Sequence, residues 1–521
     1  MLNVKNAIKT AGLMVVLTLL AKLCGMYREV LFASLFGTGS EAVAFLTASR
    51  IPLLFFDITL GAAVSSSFIP VYNEYIEKGE ENFANRFSNS FINLIIVFTG
   101  IMCIFGVIFS KQLVGVMVGE IADPVLKDEI MLLAAKLVVI LFPSMIFTGI
   151  AYSLSGILQS MGEFNVPAAI SLVSNGIMVL YLLVFGKSFG ITGVSVCMLI
   201  SWSFQVFVQI PALKKKGYKY KAIIDLKNDG LKKSATLALP ILVSSWVQPI
   251  NTMINIYLAA GLSGGSAAPA LDYANKLYII FVGVLTYAVS NLIFPSISRM
   301  AAQSDKTEFC QVVLKAIKSV FLMITLVMVL FLVLRVPIVR FVYERGEFGA
   351  ESTALTAKAL FYYSFGMIGY AMSEMLNKAF YSLQNGKTPM YVAMAGISIN
   401  IILSFVFIKG LKFDLGGLAL SASIASTLIA ITLFVLLNRK TKLFSKELLW
   451  YFAKLLICGI AAGVAANAVL SCFNWADNFL GKLLALVFPS ATGAAVYIIC
   501  ALIFKTEELL ELKNMIVKKR R

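Results

Sequence analysis

Residues 11–30 read AGLMVVLTLLAKLCGMYREV: an apolar run long enough to cross a bilayer, interrupted by Lys22, Arg28 and Glu29. A spanning helix needs about 20 mostly apolar residues at 1.5 Å each, and this segment meets that length. Lys5 and Lys9 before it mimic the basic start of a signal peptide, but no small-residue cleavage site follows. Lys22 and Leu23 are the wrong residues before Cys24 for lipid attachment, so the segment reads as an uncleaved first span.

The rest of the chain repeats this pattern. Of 521 residues 59% are hydrophobic and 14% charged, and mean hydropathy is +0.88, whereas soluble domains carry about 25% charged residues. Apolar runs separated by polar breaks number about fourteen on the length criterion. They cover 8–36, 42–72, 87–109, 131–158, 166–186, 189–212, 234–260, 270–297, 315–342, 355–383, 389–408, 415–438, 449–471 and 481–504. The expectation is an all-α polytopic membrane protein with short loops and no extramembrane domain.

The 44 basic residues outnumber 27 acidic ones, giving +17. Most of the excess falls in alternate loops, above all Lys214-Lys215-Lys216 through Lys232-Lys233 and Lys518-Lys519-Arg520-Arg521, which places both termini in the cytoplasm by the positive-inside rule. Such runs anchor topology and contact anionic membrane lipids; they do not indicate nucleic acid. The chain has no histidine, which excludes HExxH zinc sites and His-dependent nucleophiles. Seven cysteines stand singly, mostly in apolar runs, with no metal-ligand spacing, and read as small buried hydrophobes. No metal or cofactor is expected.

Three matches link the two sides of the long basic loop. Ala48-Ser49-Arg50-Ile51 precedes Pro70 as Ala274-Asn275-Lys276-Leu277 precedes Pro295, so a cation recurs at one place. Leu158-Gln159 precedes Asn175, and Leu383-Gln384 precedes Asn400, at equal separation. Six spans per half is an even number, so the halves point the same way, as in parallel transporter repeats. The expected organisation is an N-lobe at 1–215, a basic cytoplasmic linker at 216–233, a C-lobe at 234–440, and two added spans with a basic tail at 441–521.

Ionisable residues inside spans cost about 2.5–3.5 kcal/mol each on insertion scales and face a cavity or a partner. Lys22 lies roughly 20 Å beyond Lys9, too deep for easy snorkelling. Lys22 and Glu29 fall on nearly one helical face, Arg28 lies a quarter-turn away, and Gly25 between them permits a bend. The second span carries Arg50, Pro52 and Asp57, with Arg50 and Asp57 seven apart on one face, then the small-residue run Gly61 to Ser67. Lys276 is the repeat-mate of Arg50, with Asn275 beside it. Lys136, Glu374 and Lys378 also sit in spans, the last two at a mutually satisfying i, i+4 spacing. A cleft holding Lys22, Arg28, Arg50 and Lys276 with few offsetting carboxylates suits an anionic cargo, phosphate above all.

Several of these stretches resemble the lipid II flippase family MurJ (MviN) of the MOP, or MATE-like, exporter superfamily. They are Gly25-Met26-Tyr27-Arg28-Glu29-Val30-Leu31 through Leu35-Phe36-Gly37, Arg50-Ile51-Pro52, Ser67-Phe68-Ile69-Pro70-Val71-Tyr72, Tyr273-Ala274-Asn275-Lys276-Leu277 with Pro295-Ser296-Ile297-Ser298, and Leu383-Gln384-Asn385-Gly386-Lys387-Thr388-Pro389. The resemblance runs over essentially the whole chain. It implies a MATE-like fold of two six-helix lobes plus two C-terminal helices, alternating access, and lipid II as cargo, with its pyrophosphate head in the cleft and its polyprenyl tail in the bilayer. It also implies cell-wall synthesis proteins as partners. The family's first-span cations fall on Lys22 and Arg28, its acid on Glu29, and its eighth-span arginine on Lys276.

Three departures stand out: Phe55-Phe56-Asp57 occupies the place of a paired arginine motif, Val43 that of an aspartate, and lysine replaces arginine at two cationic positions. Arg50 is the residue that would offset the missing pair, and Asp57, Asn275 and Asn400 are secondary candidates. The runner-up cargo is another lipid-linked oligosaccharide or an amphipathic drug. A membrane glycosyltransferase would need acidic or His-bearing surface motifs, which the sequence lacks.

Overall fold

Proline and glycine decide where the apolar segments run straight and where they break. A computed structural model describes residues 4–61, 67–119, 121–301, 307–441, 443–473, 476–506 and 508–510. The basic tail Lys518–Arg521 and the interior of the Gly61–Ser67 run lie outside them, as do the side chains of Pro295, Ser296 and Ser298. The chain folds as two compact units, Met1–Pro269 with Arg345–Phe348, and Ala270–Glu344 with Gly349–Arg521.

The first unit contains α1 (Val4–Phe36), α2 (Ser40–Phe56), α3 (Ile69–Glu77), α4 (Glu81–Ile108), α5 (Ser110–Val118), α6 (Pro124–Leu141), α7 (Ser144–Ser160), α8 (Asn165–Phe185), α9 (Gly190–Phe207), α10 (Ile210–Lys215), α11 (Asp229–Ser245) and α12 (Val247–Ala260). Gly37, at φ +55, closes α1 in the left-handed region that glycine adopts without cost. Pro52 lies inside α2, which passes at Asp57–Gly61 into a π-helical turn. Pro143 splits the expected 131–158 segment into α6 and α7. Asp123 caps α6, accepting from the Val125 and Leu126 amides at 2.9 and 3.4 Å. The Trp246 indole donates to the Ile58 carbonyl at 2.7 Å, tying the start of α12 to the π turn.

The second unit contains α13 (Ala267–Ala301), α14 (Thr307–Val342), α15 (Ala350–Ser364), α16 (Met367–Ser382), α17 (Lys387–Phe405), α18 (Leu415–Thr441), α19 (Lys446–Cys472) and α20 (Phe479–Ile503). In α14, Leu334 departs from helical geometry (φ −95, ψ 16) three residues before Pro337, a proline kink. Gly369 lets α16 and α18 approach closely: a Cβ there would lie 2.6 Å from the Thr427 backbone. Ser445 and Asn478 cap α19 and α20. Lys482 in the first turn of α20 donates to Glu344 just beyond α14 at 3.2 Å.

No strand occurs among the described residues, whose long helices fall on the apolar segments expected from the sequence. Ten of the described helical stretches are long and apolar enough to cross a membrane, which makes this a multi-pass membrane protein. The short α5 is not expected from the sequence. Cys197 and Cys458 are buried, in line with their apolar surroundings in the sequence, but Cys472, at the end of α19, is exposed.

The basic linker does not hang free of the first unit. Residues 218–225 run without helix along one face of α4, which presents a polar ladder at that place. Asn89 Nδ2 donates to the Lys219 carbonyl (3.3 Å), and Asn93 Nδ2 to the carbonyls of Lys221 (3.1 Å) and Ile223 (2.9 Å). The Asp225 amide donates to Ser90 Oγ at 3.1 Å, and Arg86 pairs with the Asp225 carboxylate at 2.9 Å. Burial pushes the Tyr218 hydroxyl up to about 12, so it stays protonated and donates to Asn89 Oδ1 at 2.8 Å. The strap thus satisfies its backbone groups on asparagine side chains instead of on its own helix.

Candidate functional site

Arg28 and Glu29 occupy the last third of α1, where the helix packs along α8. Arg28 forms an ion pair with Glu29 and donates from Nη1 to Asn175 Oδ1 of α8 at 2.9 Å. Its side chain keeps 28% of its surface accessible, against 11% for Glu29. Asn175 is itself buried and donates from Nδ2 to the Ala21 carbonyl (3.3 Å) and Ser171 Oγ (3.4 Å). Gly25 makes the approach possible: a Cβ there would stand 3.2 Å from Asn175 Nδ2. The glycine that suggests a bend in the sequence serves to admit this asparagine.

The sequence marks Asn175 only as a repeat-mate of Asn400, and nothing in it reveals the link to Arg28. The two asparagines do different things. Asn400 Oδ1 of α17 accepts from Ser404 (3.1 Å) and from Ser421 of α18 (3.2 Å), whose hydroxyls also meet at 2.8 Å. All three are buried, so Asn400 locks two helices of the second unit together.

Lys22 is exposed on α1, one and a half turns before Arg28. Arg50 is half-buried on α2, and its charge acts on Asp57 at the start of the π turn, consistent with a shared face two turns apart. In the second unit Lys276 of α13 pairs with Asp272 at 2.5 Å and lies 6.0 Å from the centre of the Tyr273 ring. The side chains of Lys276 and Asp272 are 29% and 14% accessible. Asn275 is half-buried beside them.

These pairings correct one expectation. The cations are not short of carboxylates, because Arg28 has Glu29, Arg50 has Asp57 and Lys276 has Asp272, each on its own chain segment. The i, i+4 spacing of Asp272 and Lys276 is a local signal of this pairing that the sequence already carries. The two segments compared in the sequence differ in this respect: the acid stands one turn before the cation in α13 and two turns after it in α2. Arg28–Glu29 and Lys276–Asp272 are ion pairs whose cations keep part of their surface accessible, whereas Arg50 reaches Asp57 only through its charge.

Residues 32–488 match the family model described as Lipid II flippase MurJ. A probable lipid II flippase MurJ of Rickettsia prowazekii (strain Madrid E) is 26% identical over 503 residues, 96% of each chain. Another, from Buchnera aphidicola subsp. Schizaphis graminum (strain Sg), is 27% identical over 427 residues, 82% of this chain and 81% of the relative. Among solved structures, a lipid II flippase MurJ in an inward closed conformation superimposes with TM-score 0.79 at 25% identity, covering 94% of this chain and 98% of the other. An inward-facing multidrug resistance MATE family transporter of the MOP superfamily gives 0.67 at 17% identity, with 82% and 94% covered, and shares the fold. The family match over residues 32–488, most of the chain, places this chain in the lipid II flippase MurJ family.

Proposed function

We propose that the chain moves lipid II, the polyprenyl-pyrophosphate-linked precursor of peptidoglycan, from the inner to the outer leaflet of a bacterial cytoplasmic membrane by alternating access, with both termini cytoplasmic. The observation that carries this reading is Arg28: a half-buried guanidinium within an apolar helix, aimed by Asn175 and balanced by Glu29. A guanidinium matches two phosphate oxygens in one plane, and a pyrophosphate carries more charge than the single carboxylate it displaces. Glu29 holds the empty site near neutrality, which lowers the cost of keeping a cation in a span.

Lys22, Arg50 and Lys276 are the further cations proposed to meet the head at different stages, with Asp57 and Asp272 as their resting counter-charges. Asn275 is a secondary position, whereas Asn400, buried and committed to Ser404 and Ser421, serves to join two helices. The tail stays in lipid, because bringing a charged head through hydrocarbon unaided would cost tens of kcal/mol by Born arguments, whereas the tail has no such barrier. An inside-negative potential favours outward movement of each net negative charge by about 2.3 kcal/mol per 100 mV.

The test is reconstitution of the full chain in vesicles with fluorescent lipid II in one leaflet, reading its arrival in the other. Chain-dependent arrival supports the proposal; equal arrival in vesicles without the chain refutes it.

A further inference from the structure

At the end of the first unit where the strap crosses α4, the helices α4, α7 and α9 part around a cavity of about 360 Å³. Its size falls within the range of roughly 300–1,000 Å³ usual for small-molecule sites. Ile92, Ile96, Ile150, Leu154, Val206 and Ile210 give it an almost wholly apolar wall. Leu154 lies six residues before the end of α7, about 9 Å along the helix axis, so the cavity reaches well below the helix ends.

The mouth has a different chemistry. Lys214, Tyr218 and Tyr220 border it. The Tyr218 and Tyr220 hydroxyls are committed to Asn89 and Asn93, and Lys216 is engaged with the Met161 carbonyl. Among the described residues the Lys214 ammonium makes no hydrogen bond or ion pair. Lys215, Lys219 and Lys221 are exposed nearby in sequence, while the strap's acid, Asp225, is neutralised by Arg86. An apolar shaft sunk between membrane helices and a cationic rim at its mouth is the complement of one kind of molecule.

We infer that this cavity is a binding site for an anionic phospholipid, whose acyl chain fills the shaft between α4, α7 and α9 and whose phosphate sits at Lys214. The site is separate from the Arg28 group and takes a lipid that is bound and not transported. A bound lipid shares its walls with the strap through Tyr218 and Tyr220, so it fastens the basic linker to the first unit.

Phosphatidylglycerol carrying a photoreactive acyl chain, incorporated in phosphatidylcholine nanodiscs with the full chain and without lipid II, tests this. Irradiation, digestion and mass spectrometry should find the label on α4, α7 and α9 around Leu154. Lys214→Gln, a change at an exposed side chain, should lower that labelling about fivefold, the factor for one lysine at an anionic headgroup. Leu154→Trp, which fills the shaft, should abolish it, while Leu180→Trp on the exposed face of α8 should leave it unchanged. Should Leu154→Trp fail to insert, Ile150→Phe replaces it. Equal labelling by a phosphatidylcholine probe, or labelling spread evenly over lipid-facing helices, overturns the proposal. Because no lipid II is present, neither result touches the transport reading.

Discussion

Replacing Asn175 by leucine removes the one side chain from outside α1 that, among the described residues, is seen to aim Arg28. The substitution deletes a 2.9 Å hydrogen bond to a charged donor, a class worth about 1.5–3 kcal/mol, together with two longer bonds that add little. If the head-group is recognised by Arg28 in this posture, that loss falls on the productive complex. At 1.36 kcal/mol per decade the initial rate of lipid II movement at subsaturating lipid drops roughly ten- to hundredfold. The assay is far-leaflet arrival of fluorescent lipid II in proteoliposomes, normalised to inserted protein, with thermal unfolding in detergent measured in parallel. Leucine has the same number and branching of side-chain heavy atoms as asparagine, so α1 and α8 still pack at Gly25 and the unfolding midpoint moves little. Wild-type rates in Asn175→Leu would refute the argument that this asparagine positions Arg28. A rate that falls only in proportion to lost folded protein would refute it equally, by reducing Asn175 to a packing residue.

Other consequences follow from the same geometry. Lys276→Met strands the half-buried Asp272 carboxylate and should lower the unfolding midpoint by a few degrees; adding Asp272→Asn should restore the midpoint but not transport, a double-mutant cycle that separates stability from function. Gly369→Ala drives a Cβ against the Thr427 backbone and should destabilise the second unit by about 1–3 kcal/mol, read by thermal unfolding in detergent. Glu74, beyond the second span, accepts from Lys233 of α11 and from Lys78, which hold its carboxyl down at about 2 from the usual 4.5. A depressed acid contributes stability above its unfolded value and loses it as pH falls through the folded one, so the unfolding midpoint should decline between about pH 4.5 and 2 by an amount that Glu74→Gln abolishes.

Periodicity and length make the helices legible, because burying a backbone in lipid leaves no alternative to internal hydrogen bonding. Proline marks the splits at Pro143 and the kink near Pro337, although the sequence does not say which proline breaks a helix and which, like Pro52, rides inside one. The strap at 218–225 reads in the sequence as a basic linker and no more. Its order comes from Ser88, Asn89, Ser90 and Asn93, polar residues inside an apolar run whose partners lie over a hundred residues away. At the candidate site the cations are legible as charges out of place, since their cost is local and visible in one helix. Their aim is not, because Asn175 contacts Arg28 across 147 residues of sequence, and only the repeat comparison draws attention to it. Asp272 is the exception, a local partner that spacing alone reveals.

The most direct measurement is equilibrium binding of lipid II to the purified full chain, wild type beside Arg28→Ala, with unfolding midpoints confirming that both are folded. If Arg28 grips the pyrophosphate, removing its charged hydrogen bonds weakens binding at least tenfold, and adding free pyrophosphate competes with lipid II on the wild type. Equal affinity of the two proteins, or indifference to pyrophosphate, would contradict the account at its centre.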